Sequence, residues 1–77
     1  MTLAQKEMIE KELTDILKNK HSDINTGVDY IEKEGQIKIT FFWDRISNTN
    51  YNKIKTFKCS VNDYPEIIET SILPYFN

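Results

Sequence analysis

The stretch that most constrains this chain is Ile-Lys-Ile-Thr-Phe-Phe-Trp at residues 37–43. Its β-branched and aromatic side chains suit a pleated, half-buried surface. Strict alternation puts Ile37, Ile39, Phe41 and Trp43 on one face and Lys38, Thr40 and Phe42 on the other. A strand with one wholly apolar face has to bury that face, so the flanking sequence must supply what covers it.

Residues 28–33 alternate in the same manner and are joined to the central strand by Glu34-Gly35, a two-residue hairpin turn in which glycine supplies positive φ. That register sets Tyr30 opposite Ile39 and Val28 opposite Phe41, on the face of Ile37 and Ile39. Residues 54–61 form a third strand, with Phe57, Cys59 and Val61 inward and Ile54, Thr56, Lys58 and Ser60 outward. Between them the run 44–53, where Asn48, Asn50 and Asn52 alternate with Thr49 and Tyr51, is expected to be a long, mobile hairpin loop. Asparagine competes for backbone hydrogen bonds and tolerates turn conformations.

Two amphipathic segments flank the strands. Thr2-Leu3-Ala4-Gln5 fits a capping box, and Ile9, Leu13, Ile16 and Leu17 then recur on one face with Met8 at its edge, which predicts a helix over residues 3–20. His21 follows as a donor near the last carbonyls, and residues 22–27 read as a loop with Ile24 tucked under the sheet and Gly27 in a turn. A second helix is expected from Asp63 as N-cap, with Pro65 in its first turn, Tyr64, Ile68, Ile72 and Tyr75 along one face, and Pro74 ending it near Leu73. At least one ring of Tyr75-Phe76 is expected to dock on the core.

The order helix, three strands, helix specifies a two-layer αβββα domain of the α+β class: one domain over residues 1–77, with a three-stranded antiparallel meander sheet and both helices packed on one face. A chain this short has a single small core. No apolar run approaches the ~20 residues of a membrane span, and the N-terminus lacks the basic and apolar regions of a secretory signal, so a cytoplasmic protein without membrane contact is expected. The one cysteine, Cys59, has no partner for an intramolecular disulfide and reads as a small buried hydrophobe. The element order resembles that of double-stranded-RNA-binding domains. Those place a lysine-rich first turn on the second helix, where this chain has Asp63, Glu66 and Glu69, so duplex RNA is not expected.

No Gly-rich phosphate loop or Cys/His cluster with metal-ligand spacing occurs, and His21 lacks a motif partner; no enzyme, catalytic residue, metal or cofactor is expected. Charge is segregated: residues 38–58 hold five cations against Asp44 alone and carry +4, leaving −6 elsewhere in a chain of net charge −2. The expected function is a small protein-binding domain acting by surface complementarity, as an inhibitor, an immunity-type antidote or an accessory subunit. Its expected contacts are Lys38, Phe42 and Lys58 on the open face and Arg45 and Tyr51 in the 44–53 loop, because aromatic and arginine anchors dominate protein interfaces. The alternative is nucleic-acid binding through the basic, aromatic segment 38–58, against which the sequence pI of about 5.3 weighs. A homodimer closing the open face is a third reading.

Overall fold

The computed structural model describes residues Met1–Asn77. Helix α1 (Leu3–Leu17) starts on its capping box, with the Gln5 N–H donating to Thr2 Oγ1 at 3.1 Å and the Thr2 N–H to Gln5 Oε1 at 2.9 Å. It stops at Leu17 rather than residue 20, because the Lys20 and His21 N–H groups both converge on the Leu17 carbonyl, each at 3.0 Å. Ile9, Leu13 and Leu17 are buried, whereas Met8 is 62% exposed.

Strands β1 (Asn25–Ile31), β2 (Gln36–Arg45) and β3 (Tyr51–Ser60) form an antiparallel meander in the order β1-β2-β3. Gly27 therefore lies within a strand, not a turn. The first hairpin differs from the two-residue turn expected of Glu34-Gly35. Glu32–Glu34 form one 3₁₀ turn, and Gly35, at φ 63°, closes it with its N–H on the Glu32 carbonyl at 3.3 Å. A two-residue turn asks for positive φ at both positions, which suits glutamate poorly; the longer turn asks it of Gly35 alone. The pairing accordingly moves by two, so that Val28 faces Ile39 and Tyr30 faces Ile37. Because side chains alternate with period two, each keeps its expected face.

The loop between β2 and β3 is shorter than expected. Asp44 and Arg45 belong to β2, Tyr51, Asn52 and Lys53 belong to β3, and only residues 46–50 connect them. The ladder reaches Arg45 opposite Tyr51, and the Ile46 and Ser47 N–H groups close the connection on the Asn50 carbonyl at 2.9 and 3.3 Å. Cross-strand pairing overrides the local turn preference of the asparagines. Asp44 adopts φ 62°, a conformation aspartate tolerates better than most residues, and its carboxylate accepts from Asn52 Nδ2 at 3.1 Å.

After β3 the chain runs through a 3₁₀ turn (Val61–Asp63), helix α2 (Tyr64–Ile67), a π turn (Ile68–Ile72) and helix α3 (Leu73–Phe76). Asp63 stands at the N-cap of α2, as expected, but its backbone is already helical and its side chain makes no capping hydrogen bond; the side-chain cap belongs to the preceding 3₁₀ turn, where Ser60 Oγ accepts from the Asn62 N–H at 3.3 Å. Val61, expected inward, is 39% exposed. Pro74 does not end the helix either: the Leu73 N–H reaches back to the Ile68 carbonyl, and Pro74 falls in the first turn of α3, where its missing N–H is not needed. Continuing past Pro74 carries Phe76 into the core, while Tyr75 stays 49% exposed.

Every buried residue of the strands comes from one alternation: Val28, Ile37, Ile39, Phe41, Trp43 and Cys59. These join Ile9, Leu13 and Leu17 of α1, Ile24, and Ile68, Ile72 and Phe76 in a single cluster with no buried polar residue. The Phe76 ring sits edge-on to Phe41 and Trp43, with centroids 5.3 and 4.9 Å away. His21 packs its ring on Trp43 and Phe76, at 5.5 and 5.7 Å, so it covers the core through aromatic contact, and its backbone N–H bonds the helix end. Burial raises the Cys59 thiol above its ordinary pKa, in keeping with an inert side chain. No helix is long and apolar enough to cross a membrane.

Candidate functional site

The alternation of the sheet that contributes nothing to the core presents rungs of side chains. On one rung Lys38 stands directly opposite Lys58, with Asp29 on its other side. The ion pairs in the structure are Lys6–Glu10 and Lys11–Asp15, so neither lysine has a carboxylate within pairing distance. Like charges directly opposite one another in a sheet cost stability. The next rung sets the Thr40 and Thr56 hydroxyls 3.5 Å apart, and the one after sets Phe42 between Asn25 and Ile54.

Beyond Phe42 the strand ends build an aromatic and cationic cluster. The Tyr51 ring lies 5.8 Å from the Phe42 ring, and the Arg45 guanidinium stands 5.8 Å from the Tyr51 centroid. Three hydrogen bonds hold this group in place. Asn25 Nδ2 donates to Tyr51 Oη, Arg45 Nη2 donates to the Asn48 carbonyl at 3.3 Å, and the Arg45 N–H donates to Asp23 Oδ2 at 2.8 Å. That last bond is the main reason the Asp23 carboxyl is held below its usual range.

All five residues singled out from the sequence thus lie on one surface, in two groups. Phe42 and Arg45 each meet the Tyr51 ring; Lys38 and Lys58 are paired about 13 Å further along the strands from Phe42, at ~3.3 Å per residue. Arg45 and Tyr51 reach this surface from strand ends and not from a loop, as the pairing of β2 with β3 requires.

Two features escaped the sequence reading. Lys55 lies on the opposite alternation, with its ammonium 5.5 and 5.0 Å from the Phe57 and Tyr75 ring centroids, so it covers exposed aromatic surface. Met1, Gln5, Met8, Ile9, Tyr30, Val61 and Tyr64 line a hollow of about 430 Å³, beside a second of about 340 Å³ that shares Met1 and Tyr30. The signal was Met8 at the margin of the helical stripe, an apolar side chain beyond what the core accommodates. The hydroxyl of Tyr64, one of the lining residues, is buried without a hydrogen-bond partner, and burial, aided by the neighbouring Glu12 carboxylate, pushes the phenol far above its usual pKa. No group of three or more His, Cys, Asp and Glu side chains is gathered that could hold a metal ion.

No protein-family model matches the chain, and comparisons with curated proteins and with solved structures gave no match.

Proposed function

We propose that the chain is a non-enzymatic protein-binding domain of the cytoplasm whose contact surface is the open sheet face, and that it acts as an inhibitor, an immunity-type antidote or an accessory subunit. The observation that carries this reading is the cluster of Phe42, Tyr51 and Arg45, assembled and hydrogen-bonded without a partner, on the same surface as the Lys38–Lys58 rung, where neither lysine forms an ion pair. Aromatic and arginine side chains fixed in advance lose little conformational freedom on binding, which is what interface anchors require. Asp29 stands beside Lys38 alone, so Lys58 on the edge strand faces only a like charge and invites a carboxylate from a partner, whose approach would relieve the repulsion.

The test is a pull-down of the tagged chain from lysate of its source, with and without nuclease, alongside a Phe42→Ala/Lys58→Glu variant. The reading expects one stoichiometric protein that survives nuclease and is lost with the variant. Loss of an anchor such as Phe42 is expected to cost ~2 kcal/mol or more, roughly thirtyfold in Kd. Recovery of nucleic acid alone, removed by nuclease or by moderate salt, would replace this reading with phosphate-backbone binding by the same lysines.

A further inference from the structure

Strand β3 is an edge strand, paired with β2 on one side only, and no loop or side chain bonds to its backbone from the other side. It runs for 10 residues and carries Lys53, Lys55 and Lys58 with no acidic residue. An edge this long presents a row of unpaired N–H and C=O groups, which is a template for another strand. The opposite edge is blocked at its middle by α1: on β1 the Val28 N–H is taken by Glu10 Oε2 at 2.8 Å, and the Thr14 hydroxyl donates to Thr26 Oγ1 at 2.8 Å.

We propose that β3 accepts a fourth strand from the partner, an extended segment in which carboxylates alternate with apolar residues. The inference rests on the protein-binding reading above and names the partner's chemistry. One alternation of the added strand continues the open face and lies beside Lys58, so carboxylates there give Lys58 the acidic neighbour that Lys38, on the next strand inward, has in Asp29 on its far side. The other alternation lies beside Phe57, which is half-buried, and near Tyr75, whose ring is 5.9 Å from Phe57 and 49% exposed. Lys55, on this alternation, already lays its ammonium over both rings at 5.5 and 5.0 Å, and apolar side chains packed against its stem extend that cover. A second copy of the chain fits poorly, since pairing β3 with itself brings three lysines against three with no carboxylate between them. Nucleic acid supplies negative charge but not the alternating donors and acceptors that the edge requires.

The test is selection of random ten-residue peptides, displayed on phage, against the whole chain, followed by amide exchange and chemical-shift mapping of the chain with the enriched peptides. The proposal expects acidic sequences with alternating apolar residues. Binding should slow exchange of outward-facing β3 amides at least tenfold, and peptides N-methylated on alternate backbone nitrogens should not bind. A Lys55→Glu/Lys58→Glu variant, shown to be folded by circular dichroism, should bind at least tenfold more weakly.

The proposal is overturned if no sequence is enriched, or if enriched peptides are basic or helical. It is also overturned, while the open-face reading stands, if acidic peptides perturb Phe42 and Tyr51 and leave β3 exchange unchanged. A concentration-dependent dimer whose β3 amides are protected without peptide would assign the edge to a second copy. Tighter binding of oligothymidylate than of any peptide would overturn both this proposal and the reading it rests on.

Discussion

Strands β1 and β3 both end the sheet, yet β1 gives its outward Val28 N–H to the Glu10 carboxylate and lies under α1, whereas β3 leaves its outer backbone bare and sets lysines along it. The difference shows how a short chain with one long helix manages two edges. The helix can run beside only one of them. The other is protected by charge, and charge is a selective barrier: it repels strands like itself and admits strands of opposite sign. Closure by α1 is a structural solution; closure by lysines leaves a surface open to recognition.

The sharpest way to break this contrast is to remove the charge. Replacing Lys53, Lys55 and Lys58 together by Thr should convert the unliganded chain into a self-associating species, seen as concentration-dependent sedimentation; a variant that sediments unchanged would show that the lysines do not guard the edge. The converse change opens β1. Glu10→Ala leaves the Val28 N–H without its acceptor and should cost about 1–3 kcal/mol in urea unfolding, with faster exchange at Val28, whereas Glu10→Gln keeps an acceptor oxygen and should cost less. Lys58→Glu replaces a like-charge rung by an opposite-charge one, leaves Asp29 beside Lys38, and should stabilise the fold by about 0.2–1 kcal/mol while weakening acidic ligands.

The smallest effect concerns the junction at Asp23, beside Arg45 at the end of β2. Its folded pKa lies below the ordinary 3.8, chiefly because it accepts the Arg45 N–H. A depressed carboxylate contributes its stabilisation at pH values above its unfolded pKa and loses it as pH falls through the folded one. The Arg45 amide shift should therefore titrate with a midpoint below 3.8, and Asp23→Asn should abolish that titration.

Much of this arrangement was legible in the residues. The alternation of 37–43 named the buried face, the capping box named the start of α1, and the same alternation put Lys38, Phe42 and Lys58 on the opposite side. What misled were local signals that longer-range pairing outweighed. The asparagines of 48–52 suggested a long loop, but pairing Arg45 with Tyr51 extended both strands; Pro74 suggested a helix end, but a π turn absorbed it and let Phe76 reach the core. That β3 ends the sheet follows from the meander order, but that no helix or loop bonds to its outer backbone was invisible, because nothing in a strand's own residues says what will come to rest beside it.

The sequence by itself determined the element order, the inward alternation of each strand and the separation of a basic middle from acidic flanks, because these follow from periodicity and side-chain chemistry within a few residues. Only the tertiary structure decided that Glu10 would cap β1, that Arg45 would stand over Tyr51, and that β3 would keep a free edge. Each depends on where α1 comes to rest against the sheet and on how far the strands pair, and those are set by burying a shared core among residues distant in the chain.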